Sequence, residues 1–345
     1  MNPAQQFLAF APERRALAFE QAAAQRAVSA VVIEKDFWVC WLLGILFSQP
    51  ELAPHLVFKG GTSLSKVFSV IDRFSEDIDL SVSPEFVGAD PQAFDALTSR
   101  TQRDAAMKEM QRLCAEKARN TIAPLLEVVI QQTLGPAPDT DTWLRYELDA
   151  QTQSPVLRFH YPVTQTASFD YIQRNVKLEL GSLTDQQPTG KHNIQPWVAE
   201  AFPAVFADWQ CEVTALELAR TFWEKATILH AEFYRPEKQA MPDRYARHYA
   251  DLARLLGHPQ AAAFLADRVL CERVVAWKSR TFASGWARYD LAQQGSFRLV
   301  PPMHRFAALE ADYAVMRPMF LSEPASFAEM MQTLAAAQKM INTKK

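Results

Sequence analysis

The 345-residue sequence predicts an α+β protein, with a mixed sheet and helices in its first part and mostly helices in its last part. Short segments that alternate apolar and polar residues, typical of strands, recur between residues 56 and 182. After the loop around Pro188 and Gly190, the chain has helical spacing and many alanines. Because chains of this length commonly divide into domains, we expect one domain over 1–205 and a helical one over 206–345.

The elements follow from the spacing of apolar residues, which recur every three or four positions in helices and every second position in strands. The predicted elements are helices to about 27 and over 32–48, a strand over 56–60, a helix over 62–71, a strand over 78–82, a helix over 91–118, strands over 143–150, 155–163 and 174–182, and helices over 214–234 and 244–256. Thr214 and Glu217 fit a capping box, so the helix over 214–234 is expected to begin at Thr214.

Composition and charge indicate an ordinary globular protein, with 49% hydrophobic and 22% charged residues. The net charge of -3 argues against a protein that coats nucleic acid non-specifically. Residues 1–205 carry 18 basic and 24 acidic residues, which gives -6, and residues 206–345 carry 18 and 15, which gives +3. This asymmetry fits a chance distribution of surface charge as well as an RNA-facing C-terminal half.

The compartment is expected to be the cytoplasm. The four cysteines are too dispersed for a zinc pattern or a disulfide framework, which fits a reducing environment. The N-terminus lacks the basic-then-apolar order of a signal peptide. The most apolar run, Phe37 to Phe47, is too short to span a membrane and is expected to be a buried helix.

Two aspartates inside an apolar strand are the main chemical signal. Asp77 and Asp79 are two residues apart in SEDIDLSV, so both carboxylates lie on one face of the predicted strand. Like charges this close raise each other's pKa unless a cation lies between them. The pair therefore predicts a site for a hard divalent cation, Mg²⁺ or alternatively Mn²⁺. The alternative interpretation is a solvated edge strand.

A paired-glycine turn precedes the aspartate strand. Gly60 and Gly61 leave room for close approach, and Thr62, Ser63 and Lys66 follow at a predicted helix start, where backbone N–H groups can bind phosphate. The spacing is not that of a Walker A loop. A glycine pair alone is more often structural. Together with D-x-D on a neighbouring strand, it indicates a nucleotide site.

This combination resembles the signature of the nucleotidyltransferase superfamily, the polymerase-beta-like fold. The wording KGGTSLSKVF…RFSEDIDLS, with IEKDFW at 33–38 and ELARTFWEKATILH at 217–230, is similar to the AbiEii/AbiGii toxin family, which includes the MenT toxins. The resemblance covers most of residues 30–255. It implies a third carboxylate on a later strand, for which Glu179 is the candidate; the alternative is an exposed residue paired with Lys177.

The resemblance also assigns roles in the second half of the chain. Lys225 would contact the triphosphate, although a lysine that only reaches the helix edge is the alternative. Asp251, at the end of RHYADL, would orient Lys225 or act as a general base. Arg244 and Arg247 would contact phosphates. His248 is either part of this nucleotide site or a packed helix residue.

The implied function is that of a Mg²⁺-dependent nucleotidyltransferase toxin of a type IV toxin–antitoxin or phage-defence (abortive infection) system. Such an enzyme would transfer NMP from an NTP to RNA, at the 3′ end of tRNA, and would have a winged-helix antitoxin as a cognate partner. Two alternatives remain open from the residues: a non-catalytic nucleotide-binding module, and transfer of AMP to a protein hydroxyl by the same fold.

Overall fold

A mixed β-sheet organises the first part of the chain in the computed structural model, which describes residues 3–90, 94, 96–138, 142–165, 172–282 and 284–343. Its strands are β1 (Leu56–Lys59), β2 (Ile78–Val82), β3 (Leu144–Leu148), β4 (Pro155–Phe159), β5 (Val176–Gly181), β6 (Thr189–Asn193) and β7 (Glu212–Leu216). Over the described ranges these seven strands have the order β3-β4-β5-β2-β1-β7-β6. The α+β class predicted from the sequence is confirmed.

Strand directions in the sheet are mixed. β2 pairs antiparallel with β1 and parallel with β5, while β3, β4 and β5 form an antiparallel series. β1 is parallel to β7. A parallel pair needs a long connection, and about ninety residues separate β2 from β5. This connection contains several helices as well as β3 and β4. The order of the strands in the sequence therefore gives little indication that β2 and β5 are neighbours in the sheet.

The helices that accompany the sheet bury one of its faces. They are α1 (Pro3–Leu8), α2 (Pro12–Arg26), α3 (Ala30–Ser48), α4 (Gly60–Lys66), α5 (Pro84–Val87), α6 (Arg100–Lys117), α7 (Ala123–Leu134) and α8 (Val198–Ala201), with a short π-helix between α6 and α7. Strand side chains alternate between faces, and the apolar set, including Phe58, Leu80 and Leu178, joins Trp38 of α3 in one core. The opposite face carries the charged residues of the strands.

The chain forms two compact units. The first comprises residues 1–67 and 75–215, and the second comprises 68–74 and 216–345. The helices of the second unit are α9 (Leu218–Phe233), α10 (Ala246–Leu256), α11 (Ala261–Ala266), α12 (Arg268–Thr281), α13 (Phe306–Val315) and α14 (Phe327–Asn342). Within it, α10 packs against both α9 and α14. The domain boundary expected after residue 205 stays a prediction.

The segment Phe68–Phe74 lies in the second unit although its neighbours in sequence lie in the first. The Phe74 backbone N–H donates to the Met319 carbonyl at 2.7 Å, and the Leu321 N–H donates to the Asp72 carbonyl at 3.2 Å. Between them Arg73 forms an isolated antiparallel bridge with Phe320. The C-terminal residues, for which the sequence suggested no role, therefore fix the backbone of this segment.

Several predicted element boundaries are wrong. Thr214 lies in β7, and α9 begins at Leu218 after Glu217, which makes no side-chain capping bond, so there is no capping box at these two positions. Strand pairing with β1 overrides the local capping signal. The helix expected to reach residue 71 ends at Lys66. β6 was not predicted because its sequence, TGKHN, does not alternate.

One further expectation concerns the long helix over 91–118. The corresponding helix, α6, begins at Arg100 after Ser99, whose hydroxyl accepts from the Gln102 N–H. Residues 91–93 and 95 lie outside the described residues. In the ranges that the structure describes, no helix is both long and apolar enough to cross a membrane.

Candidate active site

The turn between β1 and α4 requires glycine at its first position. Gly60 has a φ of +81°, in the left-handed region that side chains disfavour, and a Cβ there would lie 2.0 Å from Oδ2 of Asp79. The Asp79 carboxylate therefore lies directly against the backbone of the turn. This contact brings the glycine pair and the aspartate strand together, and their role as a nucleotide site stays a prediction.

The strand register places two of the expected residues, Asp79 and Glu179, side by side. Asp79 faces Lys59 on β1 and Glu179 on β5 in the register of the sheet. Residues paired in this way point to the same face. Ile78 on β2 is fully buried on the opposite face. Asp79 and Glu179 therefore share the face that is not occupied by the core, with Asp77 just before the strand.

The carboxylates at this site repel one another. Burial, and after it the charges of Asp79, Glu76 and Glu179, together raise the pKa of Asp77 from its ordinary value of 3.8 to about 6, against the opposing effect of Lys177. The Lys177 ammonium pairs closely with Glu179. Both interpretations of Glu179 thus find support, because it lies beside Asp79 and is also paired with Lys177.

The Asp77 and Asp79 pair fits a hard divalent cation. The residues that the structure describes contain no group of three or more His, Cys, Asp or Glu side chains with an arrangement that would hold a metal ion. Mg²⁺ is often held by only one or two carboxylates, with waters and substrate phosphates completing the shell. An excess of negative charge that raises the pKa of Asp77 is the electrostatic condition such a cation relieves.

The hydroxyls of α4 make contacts within the turn. Thr62 Oγ1 lies 2.5 Å from the Asp77 carbonyl and 2.9 Å from Ser75 Oγ, and Ser63 Oγ donates to the Gly60 carbonyl at 3.0 Å. Both side chains are fully buried. Thr62 therefore ties the glycine turn to the start of the aspartate strand. Direct binding of phosphate by these two hydroxyls stays a prediction.

Lys66 lies in a buried ion pair. Its ammonium contacts Oδ1 of Asp36 at 2.5 Å, with the side chains only 4% and 2% exposed, and it also lies over the ring of Trp197. This arrangement differs from the phosphate contact expected from the sequence, which stays untested. Lys59, opposite Asp79 in the register, is half-buried and has no ion pair within the described parts of the chain. Lys59 is therefore better placed than Lys66 to contact a phosphate at this turn.

In the second unit, Asp251 is the centre of a buried charge cluster. It accepts two hydrogen bonds from the Arg73 guanidinium, at 2.7 and 2.8 Å, and its Oδ2 lies 2.8 Å from the Lys225 ammonium. All three side chains are under 10% exposed. The two-pronged Arg73 contact fixes the carboxylate plane, which in turn fixes the Lys225 ammonium.

The pKa shifts in this cluster favour an orienting role for Asp251. Burial by itself would raise the pKa of Asp251, but Arg73 and Lys225 hold it well below its ordinary value. A carboxylate that is already bonded to two cations is a weak base. Burial lowers the pKa of Lys225 in spite of Asp251, so this lysine depends on its partner to remain charged.

The basic residues near the start of α10 are not all part of the helix. Arg244 precedes the helix with a φ of +57°, and its N–H donates to Asp312 at 2.7 Å, as does the Ala246 N–H. Arg247 is exposed and does not pair with Asp251. Their expected phosphate contacts stay a prediction.

His248 is placed beside the Asp251 cluster. Burial lowers the pKa of His248 well below its ordinary value, and Lys225 and Arg247 lower it further. Its Nδ1 atom is buried and has no hydrogen-bond partner in the described part of the molecule. The charged form of the imidazole is therefore disfavoured, and so is a contact with an anionic phosphate through a charged ring.

The sequence interpretation missed the role of Arg73. Within RFSED, Glu76 is a carboxylate close to Arg73 in sequence, but it contacts Lys35 at 2.5 Å. Arg73 pairs with Asp251, 178 residues away. No local spacing could have identified this partner, although the position of Arg73 inside the family-like motif was a signal of importance.

Comparisons with known proteins find a family model that matches most of the chain. A family model described as "Nucleotidyl transferase AbiEii toxin, Type IV TA system" matches residues 41–336. Among solved structures, the nucleotidyltransferase toxin MenT4 (Rv2826c) from Mycobacterium tuberculosis H37Rv is similar with a TM-score of 0.41 and 16% identity, over 95% of this chain and 99% of that one. No curated protein matches the chain.

Replacing Gly60 by alanine is expected to destabilise the first unit and to displace Asp79. The left-handed φ costs roughly 1–2 kcal/mol for any residue with a Cβ, and the clash with Asp79 adds to it. Gly88→Ala is the matched control, because Gly88 has a φ of +86° and open space around it. Equal losses of unfolding free energy in urea would contradict the close approach of Asp79.

Mg²⁺ is expected to stabilise the wild-type protein against heat at pH 8 and not at pH 5. The pKa of Asp77 is raised to about 6, so the carboxylate accepts a proton as the pH falls through 6 and no longer attracts a cation. At a hundred times its dissociation constant, a ligand stabilises by about 2.7 kcal/mol.

Asp77→Asn should abolish this Mg²⁺ effect and, without metal, should be more stable than the wild type at pH 8. Above the folded-state pKa, the wild-type carboxylate is charged in an unfavourable site. Asp104→Asn, at an exposed position of α6, is the control and should keep the Mg²⁺ effect. A Mg²⁺ shift that survives in Asp77→Asn would exclude Asp77 as a ligand.

Proposed function

The chain belongs to the AbiEii family of type IV toxin–antitoxin nucleotidyltransferases, and from this we propose that it transfers NMP from an NTP to RNA. The proposed acceptor is the 3′ end of tRNA, so that aminoacylation fails, and pyrophosphate is the second product. The proposed setting is a phage-defence system in the cytoplasm, with a winged-helix antitoxin as partner. The observation that supports the chemistry best is the contact of Asp79 with the glycine turn, beside Glu179.

The aspartate site provides carboxylates for a divalent cation. Asp77 and Asp79 would hold Mg²⁺, or Mn²⁺ in its place. When bound, such an ion neutralises negative charge on the phosphates in the transition state. Glu179 would keep Lys177 next to the aspartates and complete the acidic surface.

Phosphate binding is assigned to groups around the glycine turn and in the second unit. The backbone at Gly60 and Gly61 can approach a phosphate closely because no Cβ intervenes. Thr62 and Ser63 keep the turn in shape, and Lys59 supplies an unpaired charge. In the second unit, Lys225 would contact the triphosphate and offset the charge that develops on the leaving pyrophosphate.

Asp251 and Arg73 are proposed to position Lys225. The ammonium donates one hydrogen bond to Asp251 and has two further protons for phosphate oxygens. Because Asp251 is held by Arg73 from two nitrogens, it restricts the directions available to Lys225. Near the start of α10, Arg244 and Arg247 are both exposed and would contact phosphates, and His248 beside them is half-buried.

Label transfer from α-³²P-labelled NTPs tests this function directly. Purified protein with Mg²⁺ and total tRNA should label RNA from one of the four nucleotides, and Asp79→Ala should label none. Lys225→Ala should lower the rate at least about tenfold, since one charge-assisted contact is worth about 1.5–3 kcal/mol. Label on protein would establish transfer to a protein hydroxyl instead. The absence of label everywhere would favour a binding module.

Arg73→Lys is expected to lower kcat at least about tenfold with little change in KM for the NTP. Lysine keeps the charge but cannot form the two-pronged contact with Asp251. Arg254→Lys is the matched control, because Arg254 is exposed on α10 and lies outside the cluster. Equal kcat values for Arg73→Lys and the wild type would show that the two-pronged contact does not position Lys225.

A further inference from the structure

A row of basic residues crosses the open face of the sheet next to the aspartate site. Arg145 on β3 faces Arg158 on β4, and Arg158 faces Lys177 on β5. Continuing the β2–β5 register by one residue places Asp77 opposite Lys177. Asp77 and Lys177 also affect each other's pKa. The row therefore begins at the first aspartate and ends at the edge strand of the sheet.

This row is unfavourable for the stability of the sheet. Like charges directly opposite one another on neighbouring strands destabilise their pairing, and the Arg145–Arg158 pair is of this kind. Arg145 is exposed and has no partner among the residues that the structure describes. Burial lowers the pKa of His160, and Arg145 and Arg158 lower it further, so the positive potential extends along β4.

Two of the three cations have carboxylate partners at the surface. Arg158 Nε donates to Glu147 at 2.7 Å, and Lys177 contacts Glu179. Arg158 is 27% and Glu147 45% exposed, and ion pairs in such positions are weak enough to exchange partners with a phosphate. The two Arg158 contacts to Gln173 and Asn175, at 3.4 and 3.5 Å, are long. Arg158 is thus only loosely held.

We propose that Arg145, Arg158 and Lys177 bind the phosphate backbone of the RNA acceptor and direct its 3′ end toward the aspartate site. This inference rests on the proposed function and names the surface that the acceptor uses. Strands are about 4.8 Å apart, so the row extends roughly 14 Å from Asp77 to β3. A basic track of this kind binds a single strand without reading its sequence.

The location of the row favours RNA over an acidic protein partner. Only the acceptor strand must reach the reacting atoms, and the row leads to Asp77 along the same face of the sheet. Residues 1–205 have a net charge of -6, so the overall charge of this region would not attract RNA. A local row of cations is therefore needed if RNA is to approach from this side.

Charge reversal at Arg145 tests the proposal, with Lys108→Glu as the matched control. Both variants change the net charge by the same amount at exposed positions. Lys108 belongs to α6, which packs on the other face of the sheet, where the Tyr146 hydroxyl donates to the Ala115 carbonyl. Arg145 points the opposite way from Tyr146 because strand side chains alternate. The effect of position is thereby separated from the effect of net charge.

Binding of fluorescein-labelled tRNA should weaken about tenfold in Arg145→Glu and should not change in Lys108→Glu. Arg145→Ala should reduce the slope of log affinity against log salt by about 0.7–0.9, and Arg145→Lys should restore it. The KM for the NTP should be the same in all variants. Unchanged tRNA binding in Arg145→Glu would overturn the proposal, as would weaker binding of the antitoxin with tRNA binding intact.

The outcomes also separate this proposal from the proposed function. Label transfer to RNA by both the wild type and Arg145→Glu at equal rates would leave the function standing and overturn the surface. Arg145-dependent tRNA binding without transfer would support the surface and contradict the function. A wild-type protein that neither binds nor labels RNA would overturn both.

Discussion

The parallel pairing of β2 with β5 is the constraint on which the chemistry of the first unit depends. It sets Asp79 beside Glu179, while the antiparallel pairing with β1 brings Gly60 against the Asp79 carboxylate. Burial, together with the neighbouring carboxylates, raises the pKa of Asp77. Carboxylates held together in this way lower the local stability, a cost that proteins often accept at functional sites.

The second unit contains a buried cluster of charged side chains. Three charged side chains are buried together, and a single missing partner would leave an uncompensated charge, which is strongly destabilising. Asp251 is the shared partner of two cations, Arg73 and Lys225.

The segment Phe68–Phe74 gives the C-terminal residues a structural purpose. It lies between the glycine turn and the aspartate strand in sequence, but its backbone bonds go to residues 319–321. The Arg73 side chain can hold Asp251 only if this backbone is fixed, because a mobile arginine would lose rotamer entropy on forming the contact. The last part of the chain, which carries no recognisable motif, thus stabilises the backbone that positions Arg73 in the cluster.

The two faces of the sheet have different roles in the first unit: one forms the core and the other carries charged side chains. One face supplies Phe58, Leu80 and Leu178 to the core, and the alternating positions carry the charges. Burial of the first set stabilises the sheet strongly enough to tolerate repulsion on the second. Hence unfavourable carboxylate and arginine neighbours can persist on the open face, where they are free to serve ligands.

The sequence by itself determined the α+β class, the glycine turn and the strand that carries Asp79, because these depend on local spacing. It could not determine that Glu179 lies beside Asp79 or that Arg73 pairs with Asp251, since both depend on contacts between distant segments. Lys66 illustrates the limit: its position beside the glycine pair suggested phosphate binding, and the structure pairs it with Asp36. Thr214 was misjudged because strand pairing outweighed its capping propensity. Local sequence patterns indicate which functional groups a chain contains, and only tertiary packing decides which charged side chains come into contact.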